Sequence, residues 1–330
     1  MGAWLRWLTL GVVGGVAAAL FVYLFLCGPG LTGRPGETAH RGPPAERAGE
    51  PPPAAQGTDA GTARTLRIGW TAWSDAEVVS LLAQRLLEKR MGLEVERVMT
   101  DIGIQYQGVA NGDLDVMLMA WLPVTHRDYW EQVRHRVVNL GVLYTGRLGW
   151  VVPAYVPEAE LGAIPDLADP EVGRRVGGRV QGIDPGSGLM QASEQALEAY
   201  SLEELDLVPA SGAAMTAVLD RAIRNRDWVV ATAWRPHWIF AAYDLRFLED
   251  PEGVLGGEER VHALARQGFQ EDFPAQVLGF FSRLYLPQEE LAGLLLEAQD
   301  TSPEEAVERY IRENPARVRY WLTGEVEEPG

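Results

Sequence analysis

The pattern of apolar and polar residues becomes regular after residue 65. Residues 65–70 and 114–121 are short apolar runs that predict buried strands, whereas residues 75–92 carry apolar side chains at helical spacing and end at a glycine. Strands that alternate with helices are typical of an α/β fold with a mostly parallel sheet. This part of the chain therefore predicts an α/β unit.

The same alternation starts again near residue 150 and leads into a helical tail. Residues 177–184 and 228–234 read as strands, and two segments with helical spacing, 189–200 and 212–227, lie between them. From residue 258 onward the spacing is mostly helical, beginning with the segment 258–269. The sequence therefore predicts two α/β lobes followed by helices.

The first 64 residues differ in composition from the rest. Residues 8–27 carry no charged side chain and are about as long as a bilayer core is thick, so we predict that residues 1–27 form an uncleaved membrane anchor. A cleaved signal peptide and lipidation at Cys27 are the alternatives, although Leu26 stands where a lipidation site normally has a small residue. Residues 28–64 are rich in proline, glycine and alanine and predict a disordered tether.

Charge and residue usage narrow the class of protein. The net charge of −17 argues against non-specific binding to nucleic acid. One cysteine excludes an internal disulfide and a cysteine zinc cluster, and the five histidines lack metal-binding spacing, so we expect no metal and no cofactor. Ser187 lies in GSG rather than in a GxSxG elbow, and no other nucleophile–base pair is evident. We therefore predict that the protein is not an enzyme.

The four residues Ala-Trp-x-Pro occur twice, at 120–123 and 233–236, and each time they end a predicted strand. Ligands collect at the carboxyl ends of parallel strands, and a proline just after the indole fixes the backbone there. Trp73 follows the first predicted strand in a similar way. If Trp73, Trp121 and Trp234 meet, their ring faces would attract a cation, best a quaternary ammonium. The alternative is that each indole only fills a core.

Two further features predict a site for a small carboxylate. Residues 182–188, GIDPGSG, join a predicted strand to a helix, whose first amide N–H groups can hold an anion. The alternative is a plain helix start with Asp184 as its cap. His126 lies five residues after Trp121 and can donate a hydrogen bond to a carboxylate even when neutral, although a structural role is the alternative.

Several long strings in the sequence resemble one known family. IGWTAW, GVANGDLDVMLMAWLPVTHRDYW, GIDPGSGLM and WRPHWIFAAYDLRFLEDP resemble, in this order, segments of the glycine-betaine-binding proteins of ABC importers. The resemblance implies a two-lobed periplasmic-binding-protein fold, similar to type II, whose lobes are mostly parallel sheets flanked by helices. Lobe I would comprise residues 65–150 and 251–325, and lobe II residues 151–250.

The resemblance also implies how the ligand is held. Six positions match those with which the family binds its ligand: Trp73, Trp121 and Trp234 around the trimethylammonium group, and the backbone amides of Gly182 and Ile183 together with His126 at the carboxylate. The cage and the anion site expected from the residues alone coincide with these positions.

The function that the resemblance implies is capture of glycine betaine, or a related quaternary ammonium solute, at the periplasmic or extracellular face of a membrane. The tether to that membrane would be the predicted anchor, residues 1–27, in which the chain departs from the family, since many members are lipoproteins or soluble periplasmic proteins. Closure of the two lobes would enclose the ligand. The permease and the ATPase of the importer would be separate chains, because the sequence contains neither permease helices nor a P-loop. The alternatives are a preference for choline, carnitine, proline betaine or ectoine, and an anchored solute sensor without transport.

Overall fold

Residues 64–326 are described by a computed structural model of the chain. The predicted anchor, residues 1–27, and all but the last residue of the predicted tether lie outside the described residues, so both stay predictions. Within residues 64–326, no helix combines the length and the apolar character needed to cross a bilayer.

The described strands pair into one continuous sheet. They are β1 (Leu66–Trp70), β2 (Val95–Met99), β3 (Val116–Leu122), β4 (Val137–Pro153), β5 (Arg179–Gln181), β6 (Asp206–Val208), β7 (Val230–Arg235), β8 (Leu245–Phe247) and β9 (Glu258–Arg266). The strand order is β2-β1-β3-β9-β4-β7-β5-β6, and β8 pairs with β4. The long β4 contacts three other strands and therefore ties the two ends of the sheet together.

Helices connect and flank these strands. They are α1 (Ser74–Met91), α2 (Ile102–Asn111), α3 (Arg127–Val133), α4 (Pro170–Arg175), α5 (Gly188–Ala199), α6 (Gly212–Asn225), α7 (Ile239–Ala242), α8 (Phe269–Asp272), α9 (Ala275–Arg283), α10 (Gln288–Asp300), α11 (Pro303–Glu313) and α12 (Pro315–Thr323), and a short 3₁₀ helix spans Ile164–Ala168. The predicted α1 is confirmed, including its end at Gly92, whose φ of 69° is the left-handed conformation that glycine adopts without steric cost.

The prediction of a mostly parallel sheet is wrong at the centre of the sheet. β2, β1 and β3 are parallel, as are β6, β5 and β7, but β9 and β4 pair antiparallel with each other and with their neighbours. The predicted helix at 258–269 is instead mostly strand β9, in which Glu259, Val261 and Ala263 are buried in alternation. Its glutamate, alanine and leucine residues favour a helix, but pairing on both sides with β3 and β4 outweighs that preference.

Two groups of buried apolar side chains form the cores. The larger group includes Ile68, Trp121 and Trp234 and so draws residues from both predicted lobes. The smaller group, which includes Trp150 and Val180, is built from buried residues between 150 and 255. The boundaries of the two lobes stay a prediction.

Candidate functional site

Five of the six predicted site residues line one cavity. They are Trp73, Trp121, His126, Ile183 and Trp234. The cavity is narrow, with about 300 Å³ of space including its mouth, and Asp75, Thr125 and the residues 187–189 complete its wall. Trp121 and Trp234 are only 3% and 4% exposed, so the side chains that line the cavity are almost completely shielded from solvent.

The buried carboxylate of Asp75 organises the aromatic end of the cavity. Its Oδ1 accepts a hydrogen bond from Trp234 Nε1 at 3.1 Å, and its Oδ2 accepts one from the Tyr144 hydroxyl at 2.8 Å. Burial raises the pKa of Asp75 to about 6, although both hydrogen bonds oppose the rise. At neutral pH a negative charge therefore lies beside the indoles.

Trp73 and Trp234 form one corner of the aromatic end. Their ring centroids are 6.4 Å apart and the planes are tilted by 58°. Trp73 Nε1 donates to Asp184 Oδ2 at 2.9 Å, so Asp184 fixes the indole rather than capping the helix. The cap of α5 is Ser187, whose hydroxyl accepts from the Met190 amide, and the alternative reading of Asp184 as the cap is wrong.

Trp121 is held from three sides. Its Nε1 donates to Met119 Sδ at 3.1 Å, and its ring lies edge-to-face with the Tyr144 ring, with the two centroids 6.2 Å apart. Gly146 on β4 lies behind the ring: a Cβ atom there would approach the indole to 2.3 Å. The indole can therefore lie against the backbone of β4 only because residue 146 has no side chain.

Both Ala-Trp-x-Pro segments end strands as the sequence predicts. Trp121 is the next-to-last residue of β3, and Trp234 is the next-to-last residue of β7. In each segment the peptide bond before the proline is cis. The repeated sequence thus produces a repeated backbone at the two sides of the cavity.

His126 is a neutral, buried side chain at the cavity wall. The Trp121 amide donates to its Nδ1 at 3.1 Å, and the His126 amide donates back to the Trp121 carbonyl at 3.0 Å. Burial lowers the pKa of His126 to about 3, against a hydrogen bond with the Met119 backbone that raises it. Because Nδ1 accepts, we assign the ring hydrogen to Nε2.

Glu259 holds the loop that carries His126. Its carboxylate accepts hydrogen bonds from the Val124 and Thr125 amides, at 2.8 and 3.0 Å, and from the Thr125 hydroxyl. Sequence reasoning missed this residue because the segment 258–269 reads as an exposed helix. In β9 every second residue from Glu259 to Ala263 is buried, as expected of a strand. An assignment of this segment as a strand would have placed Glu259 on the buried face.

The start of α5 forms the polar end of the cavity. Ser187, Gly188 and Leu189 line it, and a Cβ atom at Gly188 would lie 2.4 Å from the Thr125 carbonyl oxygen. Gly182 does not line the cavity, and its amide donates to the Val208 carbonyl at 2.9 Å. The geometry therefore favours Ile183 and the first turn of α5 over Gly182 as donors to an anion.

The cavity wall thus carries two chemically different sets of groups. Three indoles and a carboxylate suit a cation, and a histidine and helix-start amides suit an anion. Across residues 64–326, no group of histidine, cysteine, aspartate and glutamate side chains could hold a metal ion.

Comparison with known families places the chain among solute-binding proteins. Residues 64–313 match the family described as the substrate binding domain of the ABC-type glycine betaine transport system. The chain belongs to this family. The resemblance found in the sequence is therefore confirmed, and the family is one of binding proteins rather than enzymes.

Individual members of the family show how far the likeness extends. The glycine betaine/carnitine transport binding protein GbuC of Listeria monocytogenes is 37% identical over 162 residues, which are 48% of this chain and 53% of GbuC. The match thus spans about half the length of this curated relative.

Two solved structures share the fold of the chain. Lactococcal OpuAC in its closed form with glycine betaine is 31% identical, with a TM-score of 0.72 over 79% of this chain and 100% of that one. ProX of Borrelia burgdorferi is 30% identical, with a TM-score of 0.73 over 78% of this chain and 97% of that one. These matches confirm an α/β periplasmic-binding-protein-like fold with a mixed sheet flanked by helices.

Proposed function

We propose that this protein is an extracytoplasmic substrate-binding protein that captures glycine betaine, or a related quaternary ammonium solute, for an ABC importer. The observation that carries the proposal is the convergence of Trp73, Trp121 and Trp234 on one cavity beside the Asp75 carboxylate. Membership of the betaine-binding family supports the same reading.

The aromatic end suits a trimethylammonium group for a physical reason. Such a group spreads its charge over methyl groups and cannot donate a strong hydrogen bond, so ring faces replace its hydration at a lower cost than they would for lysine. Each desolvated indole contributes about 2 kcal/mol. Asp75 adds a carboxyl group that is mostly ionised, and therefore negatively charged, at neutral pH.

The polar end suits a carboxylate. His126 Nε2, the Ile183 amide and the first turn of α5 would hold it, and Gly182 stays a weaker candidate because its amide already bonds Val208. A zwitterion would therefore bind with its onium group among Trp73, Trp121 and Trp234. Choline, carnitine, proline betaine and ectoine remain alternative solutes with the same or a related charged group.

Calorimetry on the full-length chain tests this proposal with two matched analogues of glycine betaine. Choline lacks the carboxylate, and 3,3-dimethylbutanoate keeps the carboxylate but has carbon in place of the charged nitrogen. We expect betaine to bind best and 3,3-dimethylbutanoate at least a hundredfold more weakly, since it loses the cation–π energy of three indoles, at about 1–2 kcal/mol per ring. Equal affinities for betaine and 3,3-dimethylbutanoate would contradict an onium site.

Transport and sensing are distinguished in cells. We propose a permease and an ATPase on separate chains as partners, with the membrane tether supplied by residues 1–27. Loss of betaine uptake on deletion of the gene supports import. Unchanged uptake together with a lost response to the solute would favour the sensor.

A further inference from the structure

A second cavity shares two walls with the first. Trp73 and Trp234 line both cavities, and the second is larger, with about 1020 Å³ of space including its open side. We call this second cavity the outer groove. Its other principal side chains are Glu77, Asp220, Trp238 and Tyr243.

One wall of the outer groove is a continuous run of rings. The His237 ring lies 4.5 Å from Trp234 and 5.5 Å from Trp238, and Trp238 lies 6.1 Å from Tyr243. Burial lowers the pKa of His237 to about 3, so this ring is neutral at physiological pH. The wall therefore offers aromatic faces without a positive charge.

Carboxylates lie at the rim of this wall. Asp220 accepts from the Tyr243 hydroxyl at 3.0 Å and forms an ion pair with Arg224 at 2.5 Å. The Glu77 carboxylate forms no ion pair among residues 64–326; the nearby Arg97 guanidinium, which donates to the Glu77 carbonyl, partly offsets its charge, and Glu304 adds a smaller negative contribution. Counting Glu77, Asp220 and Arg224, the groove carries a formal charge of −1.

We propose that the outer groove is a second, weaker site for quaternary ammonium ions, and that solute bound there then passes into the first cavity, which we call the cage. The second half of this proposal rests on the proposed function of the cage. The groove has the same two attractions as the cage, aromatic faces and carboxylates, but it is open to solvent, where a cation–π contact is weaker. Trp238, the second indole of the segment TAWRPHW, thereby acquires a role.

The two cavities can be separated by substitution, because Trp121 lines only the cage and Glu77 lines only the groove. Nuclear magnetic resonance follows the binding: the full-length Trp121→Ala chain is labelled with nitrogen-15 at its indole nitrogens, and tetramethylammonium chloride is added in steps at constant ionic strength. The Trp238 indole signal, assigned by its loss in Trp238→Leu, should shift and saturate with millimolar affinity, and Glu77→Gln should weaken this binding about two- to fivefold. The indole of Trp228, which stacks on Arg175 outside both cavities, should not move.

A linear shift, an equal shift with neutral tert-butanol, or no effect of Glu77→Gln would overturn the second site. Stopped-flow fluorescence tests the entry role: Trp238→Leu should slow betaine association and dissociation together by about two- to fivefold, because groove contacts form during passage and not in the final complex. Unchanged rates would overturn that role. Calorimetric betaine binding by the unaltered chain reports on the cage separately, so failure of one proposal is distinguishable from failure of the other.

Discussion

The two Ala-Trp-x-Pro segments share a sequence pattern, a place at the end of a strand and a cis proline, yet their indoles have different partners. Trp121 donates to the sulfur of Met119, two residues away in the chain. Trp234 donates to the Asp75 carboxylate, which lies 159 residues away on α1. The repeat thus determines the backbone, whereas elements from elsewhere in the fold determine which indole is bonded to a charge.

The difference gives Trp234 a role that Trp121 lacks. Through Asp75, the Trp234 ring is linked to Tyr144 on β4 and to the start of α1. Trp121 is linked to Tyr144 by the contact of their rings and through Met119, whose sulfur accepts from both Trp121 Nε1 and the Tyr144 hydroxyl, so it has no direct bond to a charged group. Changes in the charge of Asp75 should therefore affect the Trp234 side of the cage first.

Removing the charge itself has the largest expected effect. Burial raises the pKa of Asp75 from 3.8 to about 6, so a protonated Asp75 stabilises the folded chain relative to the unfolded chain. This stabilisation is complete below about pH 4 and is lost as the pH rises through 6. Ionised Asp75 thus costs up to about 3 kcal/mol at pH 7.5. Denaturant unfolding of the ligand-free chain should find Asp75→Asn more stable by up to that amount at pH 7.5, and the gain should vanish near pH 4.

Asp128→Asn is the control for this measurement, because Asp128 is exposed on α3. It should change the free energy of unfolding by less than about 0.5 kcal/mol. An Asp75→Asn chain no more stable than the unaltered one at pH 7.5 would show that the hydrogen bonds from Trp234 and Tyr144 outweigh the cost of burying the charge.

Deleting each ring comes next in size. Trp121→Ala and Trp234→Ala should each weaken betaine binding about tenfold or more, at roughly 1–2 kcal/mol per ring. Trp234→Ala should lose more, because it also removes a donor from the Asp75 carboxylate. Calorimetry measures both, with Trp228→Ala as the control outside the cavity. Equal losses would remove the distinction between the two segments.

The pH dependence of affinity is a third measure. An onium group favours ionised Asp75, so binding should weaken about tenfold between pH 7 and pH 5 as the carboxyl protonates. His126 and His237 do not titrate in this range, because burial lowers the pKa of each to about 3. Calorimetry with choline, whose own charge is constant here, should show this dependence in the unaltered chain and none in Asp75→Asn. A flat profile in both would argue against contact between Asp75 and the ligand.

The smallest effect separates the two indole hydrogen bonds alone. Phenylalanine keeps a ring but lacks the N–H group, so Trp234→Phe breaks the bond to Asp75 and Trp121→Phe breaks the bond to Met119. A hydrogen bond to a charged group is the stronger of the two, and Trp234→Phe should lower the free energy of unfolding by about 1 kcal/mol more than Trp121→Phe at pH 7.5. The reverse order, measured in denaturant, would contradict the assigned partners.

What the sequence predicts well is local. Trp121 and Trp234 could be found because each lies at the end of a strand and a proline follows two residues later, whereas Trp73 lies beyond β1, at the N-cap of α1. The helices α1, α5 and α6 could be found because apolar residues recur at helical spacing. The cap of α5 is a local feature too, but two candidates, Asp184 and Ser187, stand three residues apart, and only the contact of Asp184 with Trp73 separates them.

What the sequence does not predict depends on distant partners. Asp75 reads as an ordinary acid in the first turn of a helix until Trp234 and Tyr144 are brought to it. Glu259 accepts a hydrogen bond from the amide of Val124, which lies 135 residues earlier in the chain. It also lies in a segment whose composition favours a helix. Only the pairing of β9 between β3 and β4 turns that glutamate towards the loop of His126.

Gly146 does not line the cavity but lies against the Trp121 indole, so the residue at this position influences the width of the cavity. The backbone of β4 supports the Trp121 indole where a methyl group would already overlap it. An alanine at this position would overlap both the Trp121 ring and the Arg235 carbonyl oxygen, which lies 2.5 Å from the added carbon, so the ring and the end of β7 would both have to shift. For the proposed solutes, selectivity by bulk would therefore depend in part on a residue outside the cavity wall, and a search for specificity determinants restricted to ligand contacts would overlook it.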